Sequence, residues 1–309
     1  MFISRKKITQ EQKLFLRTIS HKALREKSKS FYFASLFLTK KLRNKIAVLY
    51  YFCRITDDIF DESDYDLNQK IDIWHILASW VDGVSISYIE EQDVLDKSLI
   101  MSMYGIEDLG IPKEYLKMLL MGYYDDMIFS RPTNFTNLLS YCVNVAGSVG
   151  CCVVSILDVK LNETLIKEAA DLGIAFQLTN IARDILTDRE ELCRTYIPID
   201  IDKGSDLENA KELCLRAEPY YESALCGLSK LPFYVGYPLR ISLFVYRQIG
   251  IQLYYRKTYI KREVVTLFRK LLQLIPYFRH PNIAPNLTIT TSTINLIHSS
   301  QNRFDKIVI

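Results

Sequence analysis

The chain is poor in the residues that interrupt helices. Among 309 residues there are 11 glycines and 9 prolines, and no proline precedes Pro112. That scarcity argues against a turn-rich β architecture and favours long helices. Charge of one sign is missing too. A net charge of +3, with no Lys/Arg-rich run and no RNA-binding aromatic motif, excludes nucleic acid as an expected partner. The 7 cysteines (Cys53, Cys142, Cys151, Cys152, Cys193, Cys214 and Cys226) form no Cys-x-x-Cys pair. Buried free thiols in a reducing compartment are expected. The longest apolar run, Val145 to Leu157, holds about 13 residues, short of the roughly 20 that span a bilayer. The basic, polar start from Met1 to Lys13 lacks the apolar core of a secretory signal. A cytoplasmic location is the expectation.

What the chain does have is apolar surface, 49% of its residues, enough for one large core or two modest domains. Apolar periodicity predicts helices over 11–27, 40–60, 67–81, 91–104, 113–129, 134–157, 161–186, 206–228, 238–255 and 261–274. Gly105, Gly110 and Pro112 punctuate the middle of this series, and Arg131-Pro132 breaks it again. No β-alternation, internal repeat or domain boundary is visible. One all-α domain over 1–280 is the economical reading. The Asn/Thr/Ser-rich segment 281–309 reads as a loosely attached or flexible tail.

Two acidic clusters, far apart in the chain, carry the chemistry. The first runs Arg54-Ile-Thr-Asp57-Asp58-Ile-Phe-Asp61-Glu62, and the second runs from Gln177 through Asn180, Arg183 and Asp184 to Asp188. Positions four apart share a helix face, so Asp57 pairs with Asp61, and Asn180 with Asp184 and Asp188. Like charges at that spacing repel unless a cation lies between them. A single DxxxD is more often a solvated face. Two of them, each following an apolar run and each joined by an arginine, argue for metal. The ligand atoms are all oxygen, which suits Mg²⁺, an ion that shares its shell with substrate phosphates. Two such faces across a cavity would hold a diphosphate. Tyr50 stands one turn before Arg54, so an aromatic ring and an arginine precede the carboxylates in order. That order suits departure of a diphosphate from an allylic cation. Ser28, Lys29 and Ser30, just before Phe31, offer hydroxyl, amine and backbone donors to phosphate.

These segments resemble the squalene/phytoene synthase family of head-to-head prenyl condensing enzymes. SKSF stands at Ser28 to Phe31, YxxxRxxDDxxDE at Tyr50 to Glu62, and YCxxVAGxVG at Tyr141 to Gly150. LGxAFQLTNIARDxxxD follows at Leu172 to Asp188 and RxYIP at Arg194 to Pro198. The match covers Ser28 to Leu274, with every motif in the family's order. The resemblance implies an isoprenoid-synthase helical bundle around a central apolar cavity, with both aspartate faces at its mouth. It implies Asp57, Asp58 and Asp61 on one metal face, and Asn180, Asp184 and Asp188 on the other. Arg54, Arg183, Arg194 and Tyr196 would contact diphosphate, with Gln177 nearby. Ser28, Lys29, Ser30 and Phe31 would form a flap. Tyr50, Tyr141 and Tyr246 would line the region where cations form. Arg262 matches a basic family position, although the link to it from Tyr246 is shorter than usual and 189–193 is unusually charged. The small residues Ala146, Gly147 and Gly150 leave room either for a prenyl chain or for close helix packing.

AFQLTNIARD together with VYRQIG at Val245 to Gly250 is similar above all to bacterial and plant phytoene synthases. That implies condensation of two geranylgeranyl diphosphates to 15-cis-phytoene through a cyclopropylcarbinyl diphosphate, in carotenoid biosynthesis. Mg²⁺, or Mn²⁺ in its place, would be required, and NADPH would not. A squalene or dehydrosqualene synthase using farnesyl diphosphate stays open, as do a non-catalytic scaffold and a single-substrate terpene cyclase. So apolar a product implies peripheral contact with a membrane. The oligomeric state stays open.

Overall fold

Side-chain caps mark where several of the helices begin. The computed structural model describes residues 8–62, 64–259, 287–289 and 291–308, and among these there is no strand. The helices are α1 Gln10–Lys27, α2 Lys29–Ser35, α3 Lys40–Asp57, α4 Leu67–Asp82, α5 Ile86–Glu91, α6 Lys97–Leu109 and α7 Lys113–Met127. After them come α8 Phe135–Cys142, α9 Ser148–Ile156, α10 Glu163–Glu191, α11 Asp206–Lys230, α12 Phe233–Tyr254 and α13 Thr293–Val308. Thr9 and Gln12 form a reciprocal capping box for α1, and Asp66 and Gln69 form another for α4. Asn162 starts α10 by accepting from Leu165 N at 2.8 Å.

Several expected boundaries move for physical reasons. The helix expected over 91–104 starts later, at Lys97 as α6, because Asp96 caps Ser98 N at 2.6 Å, and a separate short helix, α5, ends at Glu91. Gly105 does not punctuate. It lies inside α6, where a Cβ would come 2.7 Å from Leu16 and 2.8 Å from Val48, so it lets α6 approach α1 and α3. The helix ends instead at Gly110, at φ +68°. The helix expected over 261–274 lies outside the described residues.

At the centre runs α10, buried on several sides. Ala170, Gly173, Ile174, Ala175, Leu178 and Ala182 are all inaccessible, packed between α9, α11 and α12. Two glycines set its distance from the preceding segment. A Cβ on Gly173 would stand 2.1 Å from Ala146 O, and one on Gly150 would stand 2.1 Å from Ala169 O. Backbone meets backbone here, so close packing accounts for Gly150.

Between α8 and α9, Val143–Gly147 forms a wide π-turn, so Phe135–Ile156 is continuous over 22 residues. By length and composition this helix suffices to cross a membrane, which the 13-residue run in the sequence understates. Yet 56% of its apolar window is buried inside the protein, as expected of a core helix.

The segment expected to be a loose tail contains α13, docked on the bundle. Thr293, Leu296, Ile297, Ser300 and Phe304 are buried. That spacing is one helical face, which the polar composition of the segment conceals. Phe304 is fully buried against Trp74, with centroids 5.7 Å apart. Thr293 Oγ1 donates to Asp171 Oδ1 at 2.6 Å, Ser300 donates to Asn144 Oδ1, and Arg303 donates to Asp125 at 3.0 Å.

Candidate active site

The first wall is the end of α3 and the turn after it. Past Asp57 the helix widens into a π-turn, Asp58–Glu62, a distortion common at functional sites. Phe60 stacks on Tyr123 at 4.9 Å, and Lys70 Nζ donates to Phe60 O at 2.8 Å. The Tyr123 hydroxyl lies 2.6 Å from Thr56 Oγ1. These contacts pin the turn. Burial, reinforced by the charge of Asp61, pushes the Asp57 carboxyl up to about 7, against the Tyr123 hydrogen bond and Arg54. Asp58 is drawn away into an ion pair with Arg54.

The second wall is the C-terminal third of α10. Arg183 Nε donates to Asp184 Oδ1 at 2.9 Å. The Tyr259 hydroxyl accepts from Ile185 N at 3.0 Å and lies within 2.9 Å of Ala182 O and Arg183 O, so it braces this turn. Burial and then repulsion from Asp184 push Asp188 up to about 7, while Arg183 and Arg194 act in the opposite sense. Asp61, from the other wall, adds to the rise. The two carboxylate faces therefore feel each other directly.

Arg194 joins them. Its Nη1 donates to Asp61 Oδ1 at 2.8 Å and to the Tyr196 hydroxyl at 3.3 Å, and it lies 3.5 Å from Asp126 Oδ1. Burial opposes its charge, but Asp126, Tyr196 and Asp61 together raise its pKa above the ordinary arginine range. Asp126, on α7, accepts from the Tyr196 hydroxyl at 2.8 Å and the Tyr141 hydroxyl at 3.1 Å. Burial pushes it up to about 7 even with Arg194 beside it.

Behind this mouth lies an apolar cavity of about 290 Å³. Along α10 it is lined by Leu165, Glu168, Leu172, Phe176, Gln177 and Asn180, a stretch of roughly 22 Å at the helical rise of 1.5 Å per residue. Ile46, Leu49, Tyr50, Cys53 and Asp57 of α3 face it from the other side. Phe31 of α2 and Tyr246 of α12 stack at 5.2 Å, and Phe176 packs on Tyr246 at 4.3 Å. Burial pushes the Tyr50 hydroxyl up to about 12.

The structure thus brings Asp57, Gln177, Asn180, Tyr50, Phe31 and Tyr246 to one cavity, and joins the two acidic segments at Arg194, which bonds the Asp61 carboxylate and, through its backbone N–H, the Asp188 carbonyl. Other expected residues lie elsewhere. Tyr141 does not line the cavity. It stacks on Tyr196 at 5.0 Å, behind Arg194, because its hydroxyl is committed to Asp126. Within Ser28 to Phe31 only Phe31 reaches the lining. Ser28 caps α2 by accepting from Phe31 N, and Lys29 and Ser30 are its first residues. Arg262 lies outside the described residues. Of the cysteines, Cys142, Cys151, Cys152 and Cys214 are buried, Cys53 is half-buried and lines the cavity, and Cys193 and Cys226 are exposed.

Asp126, Tyr123 and Tyr259 belong to the site although the sequence motifs do not single them out, and Phe176, inside the second motif, lines the cavity. An Asp pair, Asp125-Asp126, within an apolar helix is the one signal that points to the first of them. Among the described residues no three carboxylate, imidazole or thiolate groups converge tightly enough to hold a metal ion by themselves. Asn180 Oδ1, however, is buried in the cavity wall with no hydrogen-bond partner. It is a hard oxygen donor beside carboxylates, which fits a cation that completes its shell with phosphate oxygens.

A wall of carboxylates facing another across the mouth of a hydrocarbon-sized pocket defines the isoprenoid-synthase class of all-α proteins. Solved structures with this fold include a dehydrosqualene synthase, at a TM-score of 0.68 and 22% identity over 85% of this chain and 95% of that one. A squalene synthase from Alicyclobacillus acidocaldarius aligns with a TM-score of 0.64 and 18% identity, over 79% of this chain and 95% of the other. The family model described as squalene/phytoene synthase matches residues 24–269, and the chain belongs to that family. It is 32% identical over 244 residues to the 15-cis-phytoene synthase of Enterobacter agglomerans, covering 73% of this chain and 81% of that protein. It is 31% identical to the phytoene synthase of Pseudescherichia vulneris, over 73% of this chain and 78% of the other. The protein is a prenyl transferase of the phytoene/squalene synthase type.

Proposed function

We propose that this protein joins two geranylgeranyl diphosphates head to head to give 15-cis-phytoene, through a cyclopropylcarbinyl diphosphate, with loss of both diphosphates. The observation that carries the reading is Arg194, whose side chain donates to Asp61 Oδ1 at 2.8 Å and whose backbone N–H donates to Asp188 O at 3.0 Å, beside an apolar cavity lined by some 22 Å of α10. The similarity to phytoene synthases supports the geranylgeranyl substrate.

Each part of the site has a task in that chemistry. Asp57, Asp61, Asn180, Asp184 and Asp188 would hold Mg²⁺ or Mn²⁺ together with substrate phosphates, and the ion when bound would neutralise the leaving diphosphate. Arg194, Arg54 and Arg183 place fixed positive charge where negative charge accumulates. The rings of Tyr50, Phe31, Phe176 and Tyr246 face the space beyond, where an allylic cation is stabilised by aromatic faces. With its hydroxyl at about 12, Tyr50 stays neutral at physiological pH and offers the cation no oxyanion to trap it. Apolar walls keep out water that would quench the cation. No nicotinamide is needed, because proton loss completes phytoene without a hydride.

The product is a hydrocarbon that water does not dissolve, so the cytoplasmic enzyme works at a membrane surface. Leu36, Phe37, Phe233 and Tyr234 are exposed. They adjoin Leu38 and Leu231, which line the cavity, and so provide an apolar contact for lipid.

The test is incubation of purified protein with Mg²⁺ and either geranylgeranyl or farnesyl diphosphate, with and without NADPH, followed by identification of the extracted hydrocarbon. Phytoene formed without NADPH is expected. A squalene-type product from farnesyl diphosphate alone would move the protein to the other branch of the family, and no product from either would favour a scaffold.

A further inference from the structure

Charge is costly in a hydrocarbon pocket, yet the far end of this one holds a carboxylate. Glu168 lines the cavity among Leu165, Leu172, Leu228 and Leu231 and is only 7% exposed. Its Oε1 accepts from Lys230 Nζ, whose side chain is half in solvent. Its Oε2 is buried with no hydrogen-bond partner. The space for the carboxylate exists because residue 227 is glycine: a Cβ there would meet Glu168 Cβ at 2.7 Å and Oε2 at 2.9 Å. Counted along α10, Glu168 is twelve residues from Asn180, roughly 18 Å at the helical rise.

We infer that Glu168, held by Lys230, sets the longest prenyl chain the cavity accepts. This rests on the reading of the site as a prenyl diphosphate pocket. A tail with its diphosphate between the aspartate walls extends along α10 toward Glu168. A chain that stops short leaves room for water at Oε2. A longer chain presses methyl groups onto the unpaired oxygen and removes that water, which is unfavourable for a buried polar atom. Leu or Met at this position would set a length limit by volume alone. A carboxylate sets it by volume and by solvation, so removing the charge changes which chain binds.

Calorimetric binding of the unreactive thiolodiphosphate analogues of farnesyl, geranylgeranyl and geranylfarnesyl chains, with Mg²⁺, reads this without turnover. In Glu168→Ala the affinity for geranylfarnesyl relative to geranylgeranyl is expected to rise about tenfold, the scale of a single solvation or methylene contact. Lys230→Met, which leaves the carboxylate and strips its partner, is expected to give no such gain. Glu168→Gln keeps the size and carries the test if the alanine variant fails to fold; a smaller shift in the same direction is expected. A ranking of the three chains unchanged within twofold in the folded Glu168 variants refutes the length-setting role. Wild-type protein that binds none of the three refutes the prenyl diphosphate reading itself.

Discussion

Replacing Arg194 with methionine should destabilise the protein in a manner that depends on pH. The side chain touches Asp61, Tyr196 and both the carboxylate and carbonyl of Asp126. In the wild type, burial holds Asp126 at about 7 although Arg194 pulls it down. Without the guanidinium its pKa climbs further. The sign follows from proton counting. A carboxyl raised in the folded state binds a proton that the unfolded chain has released, so stability falls as pH rises, from the ordinary carboxylate range up to the folded pKa. At pH 6 Asp126 is largely protonated in both proteins, and the difference comes from the lost hydrogen bonds, among them the charged one to Asp61, about 1–3 kcal/mol. Above pH 7 only the wild type gains from ionising Asp126 against Arg194. The gap then widens by up to ~1.4 kcal/mol per pH unit, toward the 3–5 kcal/mol or so typical of breaking a buried ion pair. Urea denaturation of both proteins at half-unit steps from pH 6 to 9 measures this. A constant difference across that range would show that Arg194 acts by packing and not by charge.

Other substitutions separate structure from chemistry. Gly173→Ala forces a Cβ to 2.1 Å from Ala146 O and should cost about 1–3 kcal/mol by overpacking, visible as a lower Tm. Phe304→Ala empties a fully buried site on α13 and should cost about 3–5 kcal/mol; a loss under about 1 kcal/mol by urea titration would mean that α13 does not dock. Asn180→Ala removes a donor oxygen that has no partner, so stability should stay within about 0.5 kcal/mol while calorimetric affinity for magnesium diphosphate drops several-fold. Phe37→Ser with Phe233→Ser should weaken sedimentation with lipid vesicles, and unchanged sedimentation would exclude that surface.

Much of the site is legible in the sequence because helical periodicity is rigid. Asp57 with Asp61, and Asn180 with Asp184, need only the four-residue repeat, and the structure keeps each on its wall. Legibility ends where the repeat is broken or where partners come from afar. The same repeat also places Asp58 one turn after Arg54, where the two pair, but the π-turn that follows Asp57 is not visible in the sequence. Tyr141 shares a motif with cavity residues, but a buried carboxylate on another helix, Asp126, claims its hydroxyl. The apolar face of α13 is hidden by its polar residues, of which Ser300 and Thr293 turn out to bond Asn144 and Asp171 of the core. Glu168 reads as one more helix charge until its setting among leucines is seen.

The central claim is that both walls grip one diphosphate. Anomalous diffraction from crystals soaked with Mn²⁺ and an unreactive prenyl thiolodiphosphate tests it most directly. Manganese peaks bridging the diphosphate to Asp57 or Asp61 on one side, and to Asn180, Asp184 or Asp188 on the other, are predicted. Metal confined to one wall, or a diphosphate seated away from both, would contradict it.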